Sequence, residues 1–377
     1  RKAIALKPDY ADAHINLGNT LQALGRSKDA EASYRKAIAL KPDYAKAHSN
    51  LGVTLQELGR LEEAEASYRK AIALKPDYAD AHSNLGNTLR ALGRLEEAEA
   101  SLRQVIALKP DYAKAHSNLG VMLRELGRSK DAEASYRKTI ALKPDYADAH
   151  SDLGVTLQEL GRSKNAEASH RKAIALKPDY AKAHSNLGVT LHELGRFKDA
   201  EASYRKAIAL KPDYAKAHSN LGVTLQELGR LEEAEASFRK AIALKPDYTE
   251  AHYSLGLLLS AATQYKKAAE QFKLSTFGES KHYLLRCLYL QDEKSLFFDQ
   301  LDYFINQGEI HPMIGSLGCR SALRYGIERP NLFCKDPLKY VLKTNLNNQY
   351  DFEKIFVKTA RTILNENRIP DKRQELL

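Results

Sequence analysis

Residues 45–78 read AKAHSNLGVTLQELGRLEEAEASYRKAIALKPDY, and this 34-residue phrase returns along most of the chain. Its histidine marks the step: His14, His48, His82, His116, His150, His184, His218 and His252 follow one another at intervals of 34 residues. Full copies run 11–44, 45–78, 79–112, 113–146, 147–180, 181–214 and 215–248. Residues 1–10 hold the tail of one more copy and 249–282 a divergent one. Self-similarity at this period predicts a stack of like supersecondary units, none of which can bury both of its faces alone.

Each copy has the signals of a helix, a tight turn and a second helix. Leu51, Leu55 and Leu58 form a helical stripe, with Gly52 among them. A glycine inside a helix costs about 1 kcal/mol relative to alanine. Its return at 18, 52, 86, 120, 154, 188, 222 and 256 therefore predicts close approach by a neighbouring helix. Gly59 offers a left-handed C-cap. The second helix presents Ala64, Tyr68, Ala71, Ile72 and Leu74 on one face until Pro76 ends it. Small residues facing large ones predict interlocked antiparallel helices.

The copy resembles the tetratricopeptide repeat, whose signature positions are held here by His48, Leu51, Gly52, Leu55, Ala64, Tyr68, Ala71 and Pro76. His48 and Leu55 replace two aromatics of that signature. The resemblance covers residues 1–274 and implies an all-α, right-handed superhelical solenoid whose first helices line a concave groove. Asn16, Asn50, Asn84, Asn118, Asp152, Asn186 and Asn220, followed by Ser254, would then form an inward-facing ladder. An amide both donates and accepts hydrogen bonds, which suits the backbone of an extended peptide. The tetratricopeptide arm of O-linked N-acetylglucosamine transferases uses an asparagine ladder of this kind, and the AHSNLG phrases are similar to that arm. Local structure alone is the other reading of this row. Four residues earlier the charge alternates in sign, with Lys46, Lys114, Lys182 and Lys216 as its basic members. That row reads as a mixed-charge lip of the groove or as a solvated face.

The periodic histidines invite a metal reading. Residues 34 apart lie one hairpin apart, two helix spacings of about 8–10 Å each, far outside one ligand sphere. They read as half-buried imidazoles, and no metal or cofactor is expected from them. His170 and His192 replace Tyr and Gln found in the other copies. No glycine-rich phosphate loop, Gly-x-Ser-x-Gly or Cys-x-x-Cys occurs, so no catalytic residue is assigned.

The charge of +10 from 58 basic and 48 acidic residues is spread along the chain. Residues 1–248 hold 40 basic and 33 acidic side chains and the remainder 18 and 15, without a like-charge block. A nucleic-acid partner calls for a concentrated basic face and is not expected. No run of 18 apolar residues is present, so no membrane span is expected. Cys287, Cys319 and Cys334 fit neither a disulfide framework nor a metal knuckle. They read as free thiols in a reducing, cytoplasmic setting.

Past the repeats, Tyr283–Leu290, Ser295–Asn306 and Pro312–Tyr325 read as three helices of a cap over 275–329. Residues 330–377 read as a linker followed by a helix at 351–367 that opens a downstream domain. The phrases NLFCKDPL (331–338), TNLNN (344–348) and ILNENRIPDKRQ (363–374) resemble a segment preceding an iron(II)/2-oxoglutarate oxygenase domain in marine cyanobacterial tetratricopeptide proteins. The iron ligands of such enzymes are His-x-Asp/Glu and a distant His; the one such triplet here, His150-Ser151-Asp152, is a repeat position, and residues 329–377 hold no histidine. The expected function is a scaffold that binds a protein or extended peptide in its groove. The alternative is the substrate-recruiting arm of an enzyme, oxygenase before glycosyltransferase, with its catalytic domain outside these residues.

Overall fold

The computed structural model describes residue 4 and residues 6–330. The expected linker, the helix at 351–367 and Cys334 lie outside the described residues. Within them the secondary structure is helical throughout. Seven hairpins repeat one plan, a first helix of 13 residues and a second of 14, from Ala11–Ala23 with Ser27–Leu40 to Ala215–Glu227 with Leu231–Leu244. The helix Thr249–Ala261 follows.

The turn inside each hairpin is a Schellman motif. In the second copy the Gly59 N–H bonds the Gln56 carbonyl at 3.0 Å, and the Arg60 N–H bonds the Leu55 carbonyl at 2.9 Å. Gly59 adopts φ +75°, a conformation that costs a side-chain-bearing residue energy. The same motif closes the other copies.

The glycine within the first helix marks the closest approach of the two helices. A Cβ built on Gly52 would lie 2.6 Å from the Tyr68 ring, and one on Gly120 would lie 2.7 Å from the Tyr136 ring. Both rings are fully buried, as are Ala64 and Ala71 beside Tyr68. The side chain of the second helix thus fills the notch that glycine leaves in the first. Leu51, Leu55, Leu85 and Leu89 join the hairpins into one continuous core.

Arginine and glutamate tie each hairpin to the next on the outer side. Glu31, its side chain 15% exposed, accepts from Arg35 of its own helix and from Arg60 of the following hairpin, both at 2.8 Å. Glu65, Glu99, Glu133, Glu167 and Glu201 repeat this bridge. Burial pushes the Glu133, Glu167 and Glu201 carboxyls up, but their paired arginines hold them below the usual range. The periodic histidines have a structural task. His48 Nε2 donates to the Pro42 carbonyl at 3.0 Å, and every histidine of the row makes the same bond to the proline six residues earlier. This pins the first helix to the loop that enters it.

The chain divides into two compact units, one ending at Leu258 and one beginning at Leu259. The second helix of the divergent copy, Tyr265–Leu274, belongs to the second unit, where it packs on Ser280–Leu290 and stacks Phe272 on Tyr283. Lys294–Asn306 and Pro312–Tyr325 complete that unit. Phe297 and Phe304 are fully buried in it, and so is Cys287, whose thiol burial pushes up.

Two glycine substitutions separate contact from helix propensity. Gly120→Ala forces a buried ring to move and is expected to destabilise by about 1–3 kcal/mol. At Gly86 the nearest atom is Leu102 Cγ at 3.1 Å, on a side chain that can shift. There the propensity gain of about 1 kcal/mol offsets the crowding, so Gly86→Ala should be close to neutral. Urea unfolding midpoints of the two variants measure the difference.

Candidate functional site

First helices of consecutive hairpins pack directly on one another, while second helices stand further apart. Clefts of about 420 and 400 Å³ open between neighbouring second helices, at Arg35–Ser67 and again five hairpin steps on at Arg205–Ser237. The first helices therefore line the inner side of the first unit. On each, positions 46, 50, 53 and 57 of the second copy and their equivalents fall on one face, spaced by four, three and four residues. Lys46 and Glu57 at the ends are exposed, and Asn50 and Val53 between them are half-buried.

The predicted ladder residues all lie on this face, but not in equal states. Asn16 is exposed; Asn50, Asn84, Asn118, Asn186 and Asn220 are half-buried; Asp152 is buried. Asn50 Nδ2 donates to Asn19 Oδ1 at 2.9 Å, the oxygen that also receives the Tyr34 hydroxyl at 2.7 Å. This amide therefore spends a donor on holding two hairpins together. Burial, then the Glu57 charge, push the Tyr34 phenol up to about 12 against the lowering effect of Asn50. Asn186 makes a longer bond, 3.3 Å, to Ser151 Oγ. Among the described residues the Asn84 and Asn118 side-chain amides have no hydrogen-bond partner within the chain.

The lysine row is likewise divided. Lys46, Lys114, Lys182 and Lys216 are exposed. Lys182 Nζ pairs with Asp152 Oδ1 of the preceding hairpin at 3.2 Å, so two predicted site residues neutralise each other. Where the row carries Asp12, the Tyr44 hydroxyl donates to that carboxylate. Lys46, Lys114 and Lys216 make no ion pair among the described residues.

Two further rows complete the face and were missed in the sequence. Val121, Val155, Val189 and Val223 form a half-buried apolar floor, and Glu125, Glu159, Glu193 and Glu227 an exposed acidic edge. Their signal was available three and seven residues after each ladder position. A hollow of about 290 Å³ spans three successive first helices over this floor. It is lined by Val155, Gln158, Glu159, Asn186, Val189, Glu193 and Lys216. An apolar base with amides and opposite charges at its sides can seat one side chain of a peptide and hold its backbone. No nucleophile–base pair lines this hollow.

Beneath this stretch the lattice has a fault. His170 replaces the buried tyrosine, is fully buried, and packs its ring on Gly154. Neither ring nitrogen has a hydrogen-bond partner among the described residues. In the second copy the Tyr68 hydroxyl reaches Gln56 at 3.3 Å. Gln158, with no such hydroxyl to accept from, accepts from Thr190; it donates to Glu193 as Gln22 donates to Glu57 in the first copy. Burial, with a smaller contribution from Lys182, lowers the His170 pKa from 6.5 to about 4.

The comparisons with known proteins agree with this geometry. Sequence models of the tetratricopeptide repeat match residues 43–111, 145–213 and 179–247, residues 83–147 and 219–276, and residues 1–32, and a TPR repeat model matches 23–59. Their union is continuous from 1 to 276. A solved tetratricopeptide repeat protein from Parabacteroides merdae is similar at 19% identity, over 66% of this chain and 98% of that one, with a TM-score of 0.55. The solved APC/C hetero-tetramer Cut9–Hcn1 is similar at 17% identity, over 74% of this chain and 56% of that one, also with a TM-score of 0.55. No curated protein matches the chain significantly.

The fault at His170 makes a pH prediction. A histidine held neutral in the fold but free to charge when unfolded stabilises fully above the unfolded pKa near 6.5. That stability is lost as pH falls toward 4. The difference amounts to on the order of 3 kcal/mol. Urea midpoints measured from pH 7 to pH 4 should therefore fall more for the native chain than for His170→Tyr, which restores the lattice residue.

Proposed function

The chain belongs to the tetratricopeptide repeat family, a helical scaffold that commonly mediates protein interaction, and on that footing we propose that its first helices bind an extended segment of a partner protein. The observation that carries this reading is the continuous face they share. Its apolar valine floor lies between an amide row and an acidic edge, and its hollow at Val155–Val189 is sized for a side chain. Asn84 and Asn118, whose amides have no hydrogen-bond partner among the described residues, would take the peptide backbone. Val155 and Val189 would hold an apolar side chain. Glu193, which makes no ion pair among the described residues, would face a basic one.

Affinity in such a groove comes from many weak contacts. A neutral hydrogen bond contributes roughly 0.5–1.5 kcal/mol net. Charges at the edges mainly set orientation and encounter rate. The alternation of sign along the Lys46 row disfavours a uniformly anionic ligand such as nucleic acid. A second reading, in which the groove recruits substrate for an oxygenase domain, rests on the sequence of 329–377 alone.

Peptides selected from a random library against the full chain give the ligand for the test. The double variant Asn84→Ala, Asn118→Ala should bind them about tenfold more weakly or worse, the loss of two such bonds. Its thermal midpoint should stay close to that of the native chain, because neither amide bonds another group among the described residues. Equal affinity, measured by fluorescence anisotropy, sinks the ladder reading.

A further inference from the structure

The second unit carries a group of side chains with no counterpart in the repeats. Glu279 is the N-cap residue of Ser280–Leu290, and His282 lies in that helix's first turn. His311 is the N-cap residue of Pro312–Tyr325, and its Nδ1 accepts the Met313 N–H at 3.2 Å. The two imidazoles lie parallel, 7° apart in plane and 4.0 Å between centroids. Glu279, His282 and His311 each offer a ligand atom, and these atoms all lie within 4.8 Å of one another.

Glu309 makes this a prepared site. Its Oε1 receives His282 Nε2 at 2.5 Å. A carboxylate accepts only, so the proton sits on Nε2 and the lone pair on Nδ1. His282 Nδ1 is buried and has no hydrogen-bond partner among the described residues. A carboxylate that fixes one ring nitrogen and frees the other is the usual support of a metal-binding imidazole. An orphaned lone pair inside a folded unit otherwise costs stability without return.

We propose that Glu279, His282 and His311 bind one divalent transition-metal ion, with Glu309 positioning His282. Two imidazoles and one carboxylate form a borderline donor set that suits zinc and disfavours calcium and magnesium, which take oxygen. Zinc holds such ligands at about 2.0–2.2 Å and lies in the plane of each ligating ring. The three atoms must therefore draw closer together, and the His311 ring must turn out of its stack on His282. Glu279, its side chain 51% exposed, has the freedom to turn inward. His311 Nε2 already lies 3.5 Å from Glu279 Oε1. Ligation there moves the His311 proton to Nδ1 and gives up the long bond from Met313, a helix-end donor that water can satisfy. The ion links the starts of two helices 32 residues apart in sequence, and water takes its fourth position.

The test uses the full chain, stripped with a chelator and titrated with zinc alone by calorimetry. One site per chain with a dissociation constant of about 1 μM or tighter is expected, together with a zinc-dependent rise in thermal midpoint. Glu279→Gln removes an exposed ligand without touching the core and should weaken binding at least about tenfold. His311→Gln should abolish the one-to-one site. His48→Gln and His218→Gln, in the repeat row, should leave it unchanged. Absence of stoichiometric zinc binding overturns the proposal, as does equal binding by the Glu279 and His311 variants with helical content intact.

Discussion

The contact between a glycine of the first helix and a side chain of the second, a ring in six of the seven hairpins and Leu102 in the third, sets the spacing within the first unit. At Gly52 the backbone comes so near Tyr68 that no side chain fits between them. This fixes how closely the two helices lie, and hence how much of the hairpin's other face is left for its neighbour. The alanines at 64 and 71 and the leucines at 51 and 55 can then be buried in a continuous core. Each burial contributes through the area removed from water. Part of that burial is lost where a methyl group holds the backbone away from a ring.

The fold was legible because its cause is periodic. A glycine recurring inside a helix has a local cost, and only close packing explains its return; the rings on Gly52 and Gly120 are that packing. The site was legible only in part. The asparagine and lysine rows do share a face, but sequence does not show that Asn50 bonds Asn19 or that Lys182 is paired with Asp152, because both partners lie in another hairpin. The valine and glutamate rows were overlooked because apolar floor residues read as core, and acidic ones at a helix end read as solvated. His282 and His311 were invisible for a different reason. They are 29 residues apart on different helices, and no spacing rule joins them.

The groove has little information per hairpin and more where the lattice departs from itself. Asp152, His170 and His192 cluster in neighbouring copies, and the hollow over Val155 and Val189 lies beside them. The histidine that replaces the buried tyrosine leaves both ring nitrogens without a partner among the described residues, and Gln158 accepts from Thr190 in place of a phenol. The departures from the repeat therefore concentrate in the middle of the array, and the flanking copies extend a more uniform surface.

The Arg60–Glu31 bridge joins each hairpin only to its immediate neighbour, and its partners are the same at nearly every step. Any copy can therefore follow any other, because the interface it needs is already present on both sides. A gene that gains or loses 102 nucleotides adds or removes one hairpin without creating a new junction, since each repeat is 34 codons long. Copy number then becomes a heritable setting of groove length, adjustable in whole steps while the chemistry of each step stays constant.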